Sequence, residues 1–118
     1  MARHVVDRLS AFPAGTRRVV TVDGVEIAVF NVGGRFHALR NYCPHRGAPM
    51  CTHSPTGTMV ADRPHEYRYD LEGELIRCPW HGYEFRLSDG RSVVSPDIKL
   101  RMRVYDIKVE QDDVVLYA

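Results

Sequence analysis

Two short stretches decide the fold of this chain: CPHRG at residues 43–47 and CPWHG at residues 78–82. Each stretch supplies one thiol and one imidazole, spaced as C-x-H in the first and C-x-x-H in the second. Residues i and i+2 of an extended chain point the same way, so Cys43 and His45 can face one small metal centre together. The sequence therefore predicts a metal centre whose ligands are Cys43, His45, Cys78 and His81.

The mixture of ligand types favours a [2Fe–2S] cluster in which two neutral imidazoles replace two of the usual thiolates. Fewer anionic ligands make it easier to add an electron, so such centres have potentials of about −150 to +300 mV, against about −400 mV for all-cysteine plant-type clusters. A zinc site is the alternative, because two cysteines and two histidines also bind zinc. Zinc sites usually pair cysteine with cysteine and histidine with histidine at short spacing, whereas each stretch here mixes the two.

The remainder of the chain has the pattern of short strands. Residues 19–22 and 25–30 are rich in β-branched side chains and flank Asp23-Gly24, which is a strong hairpin signal. Other predicted strands and turns alternate along the chain, with strands at 35–39, 66–71, 74–77, 83–87, 103–110 and 114–117, and turns at 31–34, 72–73, 88–90 and 111–113. Residues 52–64, rich in Ser, Thr, Pro and Gly, predict a loop. No window carries a helical stripe, so we expect an all-β fold in two small antiparallel sheets or a partly closed barrel.

Length and composition indicate one domain over residues 1–118 and exclude some classes of partner. The net charge is +1 and the charged residues are scattered, which argues against nucleic acid or anionic lipid as partners. The apolar runs are too short to span a membrane. Of the three cysteines, Cys51 stands outside the ligand stretches, and such an odd count favours a reducing compartment, hence the cytoplasm.

Residues 41–49 and 78–85 resemble the two cluster-binding loops of the Rieske iron–sulfur family, C-x-H-x-G and C-P-W-H-G. The resemblance implies the Rieske (ISP-domain) fold, with an antiparallel β-sandwich base and a small cluster-binding subdomain at about 40–87. It implies one [2Fe–2S] cluster per chain. It also implies that Cys43 and Cys78 hold the inner iron, while His45 and His81 hold the solvent-facing iron.

Differences within the loops indicate the subtype. High-potential respiratory members of the family carry an extra cysteine in each loop, joined as a disulfide, and Ala48 and Trp80 stand at those positions. Tyr83 and Phe85 replace a serine and a tyrosine of those members, and fewer hydrogen bonds to a cluster lower its potential. The chain is thus similar to low-potential ferredoxins. This resemblance implies an electron carrier, not an enzyme, with a flavin-type reductase and a terminal oxygenase as partners.

The spacing between the loops is unusual. The 32 residues between His45 and Cys78 are about twice what the family resemblance leads us to expect, and they predict an excursion at about 51–71. Asp62 and His65 match half of the D-x₂-H-x₄-H pattern of a mononuclear iron site, but Asp70 stands where the second histidine belongs. We interpret Cys51 as a small packed thiol and His37 as a structural histidine, and His53 offers no convincing second ligand set.

Three questions stay open at the level of sequence. The chain could be a small Rieske subunit of a permanent oxidoreductase complex, as in a nitrite-reductase-like assembly, which a large exposed apolar patch would favour. It could also be a redox sensor that uses Cys51. The arginines around the ligand stretches could form a cationic rim for an acidic partner or simply be solvated strand positions: Arg40, Arg46, Arg77 and Arg86.

Overall fold

The structure is a computed structural model that describes residues 1–44, 49–50, 56–63, 66–78, 84–92 and 101–118, with backbone alone for 56–63 and 66–73. The described residues form strands and one short 3₁₀ helix, Leu9–Ala11, with no α-helix among them, so the all-β prediction is confirmed. The strands are β1 (Arg3–Arg8), β2 (Arg17–Val22), β3 (Val25–Val32), β4 (Arg35–Arg40), β5 (Thr56–Arg63), β6 (Glu66–Arg77), β7 (Glu84–Arg86), β8 (Val104–Glu110) and β9 (Asp113–Tyr117).

Six of these strands form the base of the molecule, an antiparallel sheet in the order β1-β9-β8-β4-β3-β2. The predicted β2–β3 hairpin is confirmed, with Val22 opposite Val25 and positive φ angles of 50° and 79° at Asp23 and Gly24. These left-handed angles are what a tight two-residue hairpin turn requires, because its twist then matches that of the strands. The β8–β9 turn uses the same geometry at Gln111 and Asp112.

The base sheet curls around a core to which every one of its six strands contributes. Phe12 is fully buried in this core, which we call the base core, together with one side chain from each strand: Val6, Val20, Ile27, Ala38, Ile107 and Leu116. The two edge strands are joined by an ion pair between Asp7 on β1 and Arg18 on β2, and Arg18 also donates to the carbonyl of Ala11 at 2.6 Å. Strand β1 was not predicted, because its pattern is short and rich in charges.

The other three strands form a small antiparallel sheet in the order β5-β6-β7, and it corrects two predictions. Residues 52–64 are not simply a loop, since β5 occupies 56–63 and pairs with β6. Glu72-Gly73 is not a hairpin turn, because β6 runs through it from Glu66 to Arg77. The pairing passes from Thr58↔Asp70 to Thr56↔Leu75, so the extra residues of β6 are taken up within the strand as an irregularity of the ladder.

The two sheets meet at a second core, which we call the shared core. The base contributes Ala28, Phe30 and Leu39, and the small sheet contributes Ile76 and Phe85, all at most 1% exposed. The remaining members come from the connections: Cys43, Met50, Cys78, Leu87 and Met102. None of the described residues belongs to a helix long and apolar enough to cross a membrane.

Candidate metal centre

The structure places two of the four predicted ligands in the same buried core. Cys43 follows the end of β4 and Cys78 directly follows β6, and both are 0% exposed within the shared core. Strands from two different sheets therefore deliver the two thiols to one apolar region. His45 and His81 lie outside the described residues, so the complete set of four ligands stays a prediction.

Asn41 holds the base of the first cysteine loop. Its side-chain Oδ1 accepts a hydrogen bond from the backbone N–H of Met50 at 2.6 Å, across the stretch that contains Cys43. Its own backbone N–H donates to the carbonyl of Glu26 on β3 at 2.8 Å. Asn41 therefore fastens both ends of this loop to the base sheet. Sequence analysis missed it, although asparagine is often found bonding to the backbone beside turns.

An ion pair closes the base of the second loop. Arg77 and Glu84 are the last paired residues of β6 and β7 before the chain enters residues 78–83. The Arg77 guanidinium lies 3.6 Å from Glu84 Oε2, and the side chain of Glu84 is only 10% exposed, against 50% for Arg77. The pair thus combines a nearly buried carboxylate with a half-exposed cation, directly next to Cys78.

The two thiols share their core with buried apolar side chains. Met50, Phe85, Leu87 and Met102 are at most 2% exposed and pack in the same core as Cys43 and Cys78. An anionic thiolate is costly to bury in such a place unless it is coordinated. Two buried cysteines in one apolar region therefore fit an iron–sulfur cluster, because thiolates bind such clusters. Excluding water from a cluster also helps to set its reduction potential.

The other residues singled out by sequence lie elsewhere or are not described. His37 is half-buried on β4 and lines a cavity of about 320 Å³ between β4, β8 and the turn after β7. Burial and then the nearby Arg35 lower the pKa of His37 below its ordinary value of 6.5, which suits a structural histidine. Within the described part of the chain, no three His, Cys, Asp or Glu residues are grouped to bind a metal. Arg46, Cys51, His53 and His65 lie outside that part.

Comparison with known proteins shows which family the chain is similar to. Residues 2–106 match the Rieske [2Fe-2S] domain family. The ferredoxin component of the naphthalene 1,2-dioxygenase system of Pseudomonas aeruginosa is 30% identical over 108 residues, which are 92% of this chain and 88% of that protein.

Solved structures show the same similarity. The ferredoxin of carbazole 1,9a-dioxygenase from Nocardioides aromaticivorans IC177 superposes with a TM-score of 0.71 at 25% identity, covering 98% of this chain and 97% of that one. A chain from the complex of reduced oxygenase and oxidized ferredoxin in carbazole 1,9a-dioxygenase gives a TM-score of 0.71 at 27% identity, covering 97% and 91%. The chain also aligns with parts of longer proteins, of which it spans as little as 14%.

Proposed function

Because the chain belongs to the Rieske [2Fe–2S] domain family, we propose that it is the ferredoxin component of an oxygenase system. Family membership implies a [2Fe–2S] cluster, and we propose one per chain. In this role the protein takes single electrons from a flavin-type reductase and passes them to a terminal oxygenase. Relatives named as ferredoxin components of dioxygenase systems, which it matches over nearly their whole length, support this assignment.

The observation that carries the proposal is the burial of Cys43 and Cys78 in one apolar core. These thiols would hold one iron, and His45 and His81 would hold the other, as the mixed-ligand motif requires. When bound, the cluster supplies one-electron redox chemistry. The chain's own residues keep water from the thiolates, through Met50, Phe85, Leu87 and Met102, and fix the loop bases, through Asn41 and the Arg77–Glu84 pair.

A freely diffusing carrier is favoured over a permanent subunit of a larger complex. A permanent interface is normally a large, apolar patch. Among the described residues, no two of the exposed large hydrophobic side chains belong to the same strand: Met1, Val5, Leu9, Val19, Tyr42 and Val109. A carrier of this kind performs no substrate chemistry itself, and a reducing cytoplasm suits a chain with an odd number of cysteines.

Metal analysis of the purified protein tests the proposal directly. We expect two irons and two acid-labile sulfides per chain, and after reduction an EPR spectrum with the low average g-value of mixed histidine and cysteine ligation. Zinc without sulfide contradicts the proposal, and so does an EPR spectrum typical of an all-cysteine cluster.

Two variants test the ligand set. His81→Cys should lower the reduction potential or lose the cluster, because it replaces a neutral ligand with an anionic one. Cys51→Ser is the control and should leave the EPR spectrum unchanged, since Cys51 is not among the four proposed ligands. A spectrum that changes in Cys51→Ser, or one that stays the same in His81→Cys, would show that the ligands are assigned wrongly.

A further inference from the structure

Five exposed arginines form a continuous row across the junction of the two sheets. We call this set the arginine row, and its members in spatial order are Arg86, Arg91, Arg101, Arg103 and Arg40. All five are exposed, and the side chain of Arg91 is 70% exposed. They come from four separate segments of the chain, so no charge run in the sequence reveals them as one set.

Backbone pairing places these arginines side by side. Arg86 donates its backbone N–H to the carbonyl of Arg91 at 2.9 Å, and Arg91 forms a β-bridge with Arg101. At the other end, Arg40 donates its backbone N–H to the carbonyl of Arg103 at 2.9 Å, continuing the register of β4 and β8. Residues opposite each other in antiparallel pairs place their side chains on the same face of the sheet.

The middle of the row is a single extended segment, Arg101-Met102-Arg103. The side chain of Met102 is buried in the shared core with Cys43 and Cys78, so its two neighbours point the opposite way, into solvent. The segment thus buries Met102 in the core that also contains Cys43 and Cys78, and it presents positive charge on its other face. The centre of the row therefore lies on the outer face of a segment whose Met102 side chain belongs to the shared core.

Among the residues whose side chains the structure describes, few carboxylates compensate the charge of the row. Asp89 is the one carboxylate of the described residues that contacts it, at 3.9 Å from Arg91, and Arg101 donates to the backbone carbonyl of Asp89 at 3.0 Å. Arg40 and Arg103 instead stack on Tyr42 and Tyr105, with the guanidinium carbons 5.0 and 5.3 Å from the ring centres. Stacking fixes the position of each guanidinium and leaves its charge unneutralised.

Like charges placed directly opposite each other destabilise a sheet. The three successive arginine–arginine pairs of the row should therefore destabilise the sheets locally through charge repulsion. Arrangements that are unfavourable for stability are expected at functional sites. The whole chain carries a net charge of only +1. The clustering of positive charge in the arginine row is therefore a property of one surface and not of the overall composition. Electrostatic complementarity at such a surface speeds the encounter with a partner of opposite charge.

We propose that the arginine row is the docking surface for an acidic face of the electron-transfer partner protein. This inference rests on the proposed function, since it assumes that electrons enter or leave through a cluster whose two predicted cysteine ligands share the buried core with Met102. The partner would place Asp and Glu side chains opposite the row, with Tyr42, which is 49% exposed, as the adjoining apolar contact. A protein is favoured over a nucleic acid because the remainder of the chain adds no further positive field.

Small redox reagents of opposite charge test the surface without a known partner. The reduced holoprotein is mixed with ferricyanide, a trianion, or with tris(phenanthroline)cobalt(III), a trication; each takes one electron from the cluster. The test variant is Arg86→Glu/Arg103→Glu, which turns two like-charge pairs into opposite-charge pairs and so should not lower the unfolding temperature. A milder Arg86→Gln/Arg103→Gln variant should show a smaller change in the same direction. Arg8→Glu/Arg35→Glu is the matched control, with the same change in net charge at exposed arginines outside the row.

At low ionic strength we expect ferricyanide to oxidise the test variant about tenfold more slowly than the wild type. The cobalt reagent should oxidise the test variant faster, and both differences should shrink as salt is added. The control should stay close to the wild type with both reagents. Equal behaviour of the test and control variants would overturn the proposal.

A binding measurement then distinguishes the partner classes. Calorimetric titration with poly-L-glutamate should show binding to the wild type and the control and loss of binding in the test variant. Tighter binding of a single-stranded oligonucleotide than of poly-L-glutamate would overturn the assignment to a protein partner. Calorimetry needs no cluster signal. A protein without a [2Fe–2S] spectrum that still binds poly-L-glutamate through the arginine row would therefore refute the proposed function and not the docking surface for an acidic partner.

Discussion

Asn41 illustrates how one side chain determines the shape of a ligand loop. The loop from Tyr42 to Pro49 contains Cys43, and its two ends are joined by the hydrogen bond that Met50 N–H donates to Asn41 Oδ1. A hydrogen bond between residues nine positions apart fixes the separation of the two residues that flank this stretch, whether or not a metal is bound. Asn41 is therefore a positioning residue for the cluster site.

Replacing Asn41 with alanine should lower the free energy of unfolding by about 1–2 kcal/mol, because the Met50 N–H loses its acceptor in a partly buried place. Chemical denaturation of the holoprotein measures this loss, and the EPR linewidth should broaden as Cys43 becomes less well positioned. The control is Glu26→Ala, which removes the longer 3.3 Å bond from Asn41 Nδ2 and keeps the bond to Met50. Equal losses in the two variants would mean that the loop bond has no special role.

At the residue scale, the sequence predicts a set of ligands but not the residues that support them. Cysteine and histidine at C-x-H and C-x-x-H spacing reveal their chemistry locally. Asn41 and Met102 act through contacts with residues distant in sequence, and those contacts depend on the path of the whole chain. The arginine row was anticipated only through Arg40 and Arg86, because pairing with Arg91, Arg101 and Arg103 is a property of the folded sheets.

The element that connects the two sheets is the extended segment at residues 101–103, and its position depends on Gly90. Met102 donates its backbone N–H to the carbonyl of Gly90 at 2.8 Å, and Gly90 donates to the carbonyl of Arg86 at 2.8 Å. A Cβ at Gly90 would lie 2.2 Å from the carbonyl oxygen of Met102, and its φ of +76° is unfavourable for other residues. A side chain here must displace the segment.

Gly90→Ala should therefore lower the free energy of unfolding by about 3 kcal/mol or more, from backbone strain together with the clash. Gly34→Ala is a matched control, because Gly34 also has a positive φ, of +93°, but has open space around the added methyl group. Gly34→Ala should lower the free energy of unfolding by about 1 kcal/mol, because only backbone strain contributes there. A thermal or chemical unfolding series on the two holoproteins compares them, and equal losses would contradict the close approach of Met102.

Predictions of elements succeeded where the signal was local. Asp23-Gly24 between β-branched runs defined the β2–β3 hairpin because the turn itself prefers those residues. The prediction of a loop at 52–64 was wrong because threonine, which composition counts as polar, is also a good strand residue, and β6 supplies β5 with a partner. Glu72-Gly73 was wrongly predicted as a turn because a glycine within a strand can equally mark an irregularity in pairing.

For the whole molecule, the important feature is that its two cores are of different kinds. The base core is built from apolar side chains of one sheet and contains no predicted ligand. The shared core holds the small sheet against the base and includes both cysteines of the predicted ligand set. Cluster binding should therefore stabilise the small sheet far more than the base, because metal binding contributes to the folding of the elements that hold it.

Removing the iron should expose this difference. In the apoprotein we expect amide hydrogen exchange in β6 and β7 to become at least about tenfold faster, while β3 and β9 keep protection close to that of the holoprotein. Exchange measured by mass spectrometry on the two forms gives the comparison. A uniform increase over all strands would mean that the two cores unfold as one unit, and no increase in β6 and β7 would place the cluster elsewhere.

The ion pair between Asp7 and Arg18 affects whether the base sheet can add a strand from another molecule. The unpaired backbone groups of an exposed edge strand can pair with a strand of another molecule, and this aggregation becomes faster at higher protein concentration. In the base sheet the two edge strands, β1 and β2, are joined to each other by this ion pair. A strand of another molecule is therefore less able to pair with either edge. The same pair that closes the base sheet therefore also protects its two edges from pairing with a second molecule.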